Sequence, residues 1–161
     1  LAEVLIDLAR LTHDAVKFFA HEPVRAMLSY SNFGSDKQGS PLKVHEAIDF
    51  LHKTYPDMVV DGEMQVNFAL DKKLRDDMYP FNKLKGQDVN TLIFPNLSSA
   101  NSAYKLLDTL GITETIGPIQ MGLNKPIHFT DVESSTRDIV NLTTVAVVDA
   151  IVQEQIEKEK F

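Results

Sequence analysis

The sequence contains no cysteine, few cations and no long apolar run. Without cysteine, a disulfide framework, a zinc thiolate site and a thiol nucleophile are all excluded. No apolar stretch approaches the roughly 18–20 residues that a membrane-spanning helix needs. The N-terminus also lacks a basic segment followed by an apolar one and a cleavage site. A cytoplasmic protein that meets no membrane is therefore the default expectation. Sixteen Lys and Arg stand against 23 Asp and Glu, a formal charge of −7. Such a balance opposes nonspecific binding to nucleic acid or acidic lipid. An anionic ligand must be met by local cations or by backbone amides. The five histidines are scattered, with no HExxH, so no histidine metal site is indicated and surface or half-buried positions are expected. A GxSxG nucleophile elbow and the Gly-rich fingerprints of dinucleotide and triphosphate sites are missing as well.

What is present is an ordinary globular composition, 161 residues with 43% hydrophobic and 24% charged, enough for one full core. The chain opens on Leu1 and is helical in pattern from its first residues, as a piece of something longer would be. Leu1, Val4, Leu5, Leu8, Leu11, Ala15, Phe18 and Phe19 recur at spacings of three and four, which predicts an amphipathic helix over 1–20. His21-Glu22-Pro23 ends it. A strand over 24–30 follows, then a Gly- and Ser-containing loop to Pro41 and a helix over 42–54 stopped by Pro56. Met58 to Val60 reads as a buried strand running into a sharp turn, Asp61-Gly62-Glu63, and a helix over 64–74. After a charged loop, a strand over 91–94 leads to a helix from about Ser98 to Leu110.

The Gly- and Pro-broken stretch 116–126 cannot be helical. A short strand is expected over 127–129 and a long final helix after Ser135. Asp149 sits alone in the apolar run of that helix and needs solvent, a polar partner or a subunit contact. Strands alternating with helices predict an α/β fold, a mostly parallel sheet with helices on both faces, which binds ligands at the carboxyl ends of its strands.

Three strand-end loops are thereby singled out: 31–40, 61–65 and 96–101. Each puts small or polar residues where a helix begins, and free amides there attract anions. The same positions also suit plain helix capping by Ser31, Asp61, Asn96 and Ser98. Ser135-Thr136-Arg137-Asp138 fits a capping box, so Asp138 is open to two readings, a cap or a general base. Lys37, Lys43, Lys105 and Lys125 are the cations nearest these loops.

In order along the chain stand LSYSNFGS (28–35), DGEMQVNFAL (61–70), LIFPNLSSANSAYKLL (92–107), IGPIQMGLNKPIHF (116–129) and DIVNLTTVAVVDA (138–150). Together they resemble the C-terminal half of the phosphotransacetylase family. The resemblance implies a three-layer α/β/α fold of the isocitrate/isopropylmalate dehydrogenase type. It divides the chain into an α/β lobe over 1–130 and a terminal helix over 131–161 returning toward a missing lobe. Enzymes of the family move an acetyl group between coenzyme A and phosphate in a cleft between two lobes and are usually dimers. The ligand implied is an acyl-CoA or acyl phosphate, met by Ser31, Gly34, Ser35, Asn101, Lys105 and Lys125 through backbone amides and the two lysines, with Asp138 as the catalytic candidate.

Departures from the family pattern matter. Before DIVN the family has a Ser-Arg-Gly-Cys-Ser type of segment whose Arg supports the acyl phosphate. The aligned positions here are Asp131, Val132 and Glu133. Asn67 and Asn96 likewise stand where the family has Asp. Loss of these groups on a retained fold is similar to the C-terminal region of hybrid, NADP-dependent malic enzymes, where such a module senses acetyl-CoA and helps assemble the oligomer. NADP and a divalent metal would then belong only to an N-terminal part. The alternative is an active phosphate acetyltransferase whose phosphate-binding Arg lies elsewhere, for instance Arg137.

Overall fold

A computed structural model describes residues 2–159 of the protein, so the outer ends of the helices expected over 1–20 and 131–161 lie outside the described residues. The chain forms two compact units, Leu1–Lys105 and Leu106–Phe161. The first unit begins with helix α1 (Ala2–Phe18) and strand β1 (Arg25–Leu28), then α2 (Gly39–Thr54) and β2 (Val60–Met64). Two short helices, α3 (Val66–Leu70) and α4 (Lys72–Met78), precede β3 (Thr91–Ile93). Helix α5 (Leu97–Leu110) runs across the division, and α6 (Thr136–Glu159) belongs to the second unit.

The sheet has three strands in the order β2-β1-β3, and both pairings are parallel. Parallel neighbours cannot be joined by a tight turn, so each connection crosses over through helix. Central β1 is buried along its whole length, which is why its sequence reads as a short apolar run without alternation. On one face, Leu5 and Ala9 of α1 and Val44, Ala47, Ile48 and Leu51 of α2 pack with Met27, Val60 and Ile93. Those spacings of three and four give each helix one apolar stripe. On the other face Ala26, Leu28 and Met64 meet Ala69 of α3 and Leu84, with Phe33, Phe68 and Phe94 around them.

Several expectations need correction. Asp61-Gly62-Glu63 is no turn; all three residues are buried inside β2. Charge and glycine suggested a turn, but both carboxylates have partners waiting in the fold. Gly62 has φ 151°, and a Cβ there would lie 2.5 Å from the Met27 carbonyl oxygen, so the strand needs glycine for close approach. The ladder shifts register between Met27 and Leu28, pairing Leu28 with Met64 and leaving Glu63 as the extra residue.

The helix expected over 64–74 is broken at Asp71, whose carboxylate accepts from the Leu74 amide at 2.9 Å and starts α4. No strand forms over 127–129 among the described residues; Gly122 and Pro126 keep that stretch irregular, and His128 is tied instead to α6. Its Nε2 lies 3.2 Å from Asp149 Oδ2, while Gln153 Nε2 donates to Oδ1 at 3.1 Å, so the lone carboxylate in the apolar run has polar partners. No described helix is long and apolar enough to cross a membrane.

Candidate functional site

The carboxyl ends of β1 and β2 open into the loop after β1, and a buried carboxylate organises that loop. Glu63 has no solvent exposure. Its Oε1 accepts from the Ser31 hydroxyl at 2.9 Å and from the Gly34 amide at 2.5 Å. Its Oε2 faces His45 Nδ1 of α2 at 3.3 Å, and its backbone carbonyl accepts from the Phe33 amide at 2.7 Å. Ser31 and Ser35 hydroxyls lie 2.9 Å apart, and the Asp36 amide donates to Ser31 Oγ at 3.0 Å. Phe33 takes φ 47° and Gly34 φ 84°, the left-handed turn that lets the chain wrap back on Glu63. Ser31, Gly34 and Ser35 are therefore brought together, around a residue that the sequence reading did not single out.

Asp61 makes the matching clasp one pleat earlier. Its Oδ2 accepts from the Lys83 amide at 2.6 Å and its Oδ1 from Gly62 at 3.0 Å, with His52 Nε2 at 3.8 Å. Burial pushes the Asp61 carboxyl above its ordinary range, opposed by the two amides and His52. His45 and His52 stand seven residues apart on one face of α2, each facing one β2 acid. That pairing of helix period with strand period was the available signal for Glu63 and His45. It stayed hidden because sequence reading placed 61–63 in a turn.

At the end of β3, Lys43 Nζ donates to the Pro95 carbonyl at 2.5 Å, placing its cation beside the start of α5. Asn96 caps α5, accepting from the Ser99 amide at 2.9 Å. Capping therefore holds for Asn96 and fails for Ser31 and Asp61, which bind other partners. Asn101 is exposed on α5. Lys105, also exposed on α5, has its Nζ 5.8 Å from the Tyr104 ring centroid. No group of His, Asp or Glu among the described residues is arranged to hold a metal ion.

In the second unit Ser135 and Asp138 form the capping box. Ser135 N donates to Asp138 Oδ2 at 2.8 Å and Ser135 Oγ donates to the same oxygen at 2.6 Å. In return Asp138 N donates to Ser135 Oγ at 3.2 Å. The Ser135 side chain and amide hold the Asp138 carboxyl below its ordinary range. Arg137 is paired with Glu114, Val132 projects fully into solvent, and Lys125 is exposed.

A profile for phosphate acetyl/butaryl transferase matches residues 1–147. The chain belongs to that family. Within the phosphate acetyl/butaryl transferase family its relatives carry two kinds of name. It is 38% identical over 151 residues to an NADP-dependent malic enzyme of Salmonella typhimurium, covering 92% of this chain and 20% of that protein. It is also 38% identical over 152 residues to a phosphate acetyltransferase of Treponema pallidum, covering 92% of this chain and 45% of that protein. A phosphotransacetylase crystal structure from Streptococcus pyogenes superposes with a TM-score of 0.84 at 37% identity, over 94% of this chain and 46% of that one. The chain thus spans a fifth of the malic enzyme and less than half of the acetyltransferases it matches.

For this member of the transferase family the capping box gives a direct prediction. Ser135→Ala removes one partner of the Asp138 carboxylate and one acceptor of a helix amide, and is expected to cost about 1 kcal/mol. The loss should appear as faster amide exchange in the first turn of α6. Because the Asp138 carboxyl is held low, its contribution is present above the ordinary carboxylate pKa and is lost as pH falls through the lowered value. The exchange difference between wild type and Ser135→Ala should therefore shrink in acid.

Proposed function

We propose that this chain is a regulatory and assembly module of an NADP-dependent malic enzyme, which binds acetyl-CoA and has given up acetyl transfer. The parent protein would convert malate to pyruvate and CO2 in the cytoplasm, with NADP and its divalent metal held outside this chain. One observation carries the reading. Arg137 is the only arginine between residues 106 and 161, and it is engaged by Glu114. Position 132, where the family pattern has its phosphate-supporting arginine, holds an exposed valine. A site without that cation retains the means to bind an acyl-CoA but not to stabilise the charge that develops during transfer to phosphate.

The acyl-CoA would lie at the carboxyl ends of the strands, against the Ser31–Ser35 loop with Asn101 and Lys105 of α5. An isocitrate/isopropylmalate dehydrogenase-like layering of the fold goes with this reading. Self-association, as a dimer or larger homo-oligomer, is supported by α6, where Val140, Val147 and Ile151 remain 58%, 54% and 49% exposed.

Titration calorimetry of the full-length protein with acetyl-CoA tests the proposal. Saturable binding accompanied by a change in malate turnover is expected. No heat of binding and unchanged turnover would overturn the sensing role, and acetyl phosphate formation would favour a phosphate acetyltransferase instead.

A further inference from the structure

In the loop after β1, each amide from Ser31 to Asp36 already has a partner. Ser31 N donates to Ser29 Oγ, Asn32 N to Ser35 Oγ, and Phe33 N to the Glu63 carbonyl. Gly34 N donates to Glu63 Oε1, Ser35 N to the Asn32 carbonyl, and Asp36 N to Ser31 Oγ. One of these amides, that of Gly34, donates to the protein's own buried carboxylate. In the structure, then, these amides are engaged within the protein itself. Whatever binds here meets the outer face of a loop whose shape is set from within.

We infer that Glu63 is a positioning residue: it touches no ligand, fixes the Ser31–Asp36 loop as a rigid wall of the acyl-CoA site, and does so through its oxygen acceptors. The ligand assignment rests on the function proposed above; the positioning role does not. Three features support it. Glu63 is fully buried, so its carboxylate cannot reach a ligand. Two of its acceptor bonds reach the middle of the loop, at Ser31 and Gly34, across a separation of about 30 residues. The register shift between β1 and β2 delivers Glu63 to that point. His45, itself beside Asp49 at 3.7 Å, supplies the counter-group on the far oxygen. A carboxylate with these donors around it is satisfied, whereas an apolar side chain in its place strands a buried amide and a hydroxyl.

The test compares Glu63→Gln with Glu63→Leu in the full-length protein. Gln retains Oε1 as acceptor for Ser31 and Gly34, whereas Leu keeps the volume and offers none. The expected result is that Glu63→Leu raises the acetyl-CoA dissociation constant at least tenfold and speeds amide exchange at Gly34 and Asp36 at least tenfold. Exchange in the β1 and α2 core should stay slow. Glu63→Gln is expected to stay within threefold of wild type in both measurements.

Equal loss in both variants would show that charge, not acceptor geometry, matters, and would overturn the inference. Wild-type exchange rates across the loop in Glu63→Leu would also overturn it. If Glu63→Leu fails to fold, Ser31→Ala, which removes one of the two bonds, must still speed exchange at Gly34; unchanged exchange there sinks the proposal. If wild-type protein binds no acetyl-CoA, the functional reading fails while the exchange comparison still decides the role of Glu63.

Discussion

Gly62→Ala is expected to yield little or no folded protein. The added Cβ would sit 2.5 Å from the carbonyl oxygen of Met27 and 3.2 Å from its Cβ. Met27 belongs to the central strand, which is hydrogen-bonded on both sides and packed on both faces, so neither strand can retreat. The backbone at Gly62, φ 151°, is also one that residues with a side chain rarely adopt. A backbone overlap added to that strain is worth at least about 4 kcal/mol, a large part of the 5–15 kcal/mol that ordinarily stabilises a domain. Urea unfolding followed by circular dichroism should find the variant unfolded or with its midpoint sharply lowered. A midpoint equal to that of wild type would mean that β2 does not lie against β1 as described. The site depends on the same contact, because Gly62 sets the approach that brings Asp61 and Glu63 to their partners.

The alternation of strand and helix was legible because parallel sheets need apolar strands and crossover helices, and both leave periodic marks. Of the apolar stripe read over 1–20, Leu5 is buried, whereas Val4, Leu8, Leu11 and Phe19 are exposed and Ala9, which the stripe omitted, is buried in their stead. Ser135 and Asp138 were legible as a capping box because the motif is local. What could not be read was long-range. Asp61 and Glu63 look like solvent-seeking turn residues until His52, His45, the Lys83 amide and the loop after β1 arrive from elsewhere to pair with them. The same holds for His128, whose tether to Asp149 replaces an expected strand. Arg75 is a further case: fully buried, it donates to the carbonyls of Ala69, Leu84 and Gln87 and so shapes the segment before β3, with no sequence signal at all. Propensity treats charged residues as surface, and tertiary partners reverse that assignment one residue at a time.

Acetyl phosphate formation by the intact protein is expected to run about 10²–10³-fold or more below that of an acetyltransferase relative assayed under the same conditions, the order of loss seen when one preorganised transition-state donor is removed. Phosphoryl and acyl oxygens gain negative charge as the acetyl group moves, and a guanidinium offers a forked pair of donors to hold it. Here valine stands at the aligned position, with Asp131 and Glu133 on either side. Both carboxylates are exposed and add charge of the same sign as an approaching acyl phosphate. Arg137 is paired with Glu114 on the exposed surface, and the Asp138 oxygen that would accept a proton already receives two bonds from Ser135. Glu114→Gln releases Arg137 without touching position 132. On the non-catalytic reading this variant gains no transfer activity, since the freed arginine has no arrangement around it to complete. Turnover matching the acetyltransferase in wild type, abolished by Arg137→Ala or Asp138→Asn, would instead place the catalytic cation at Arg137 and return the chain to the enzymes.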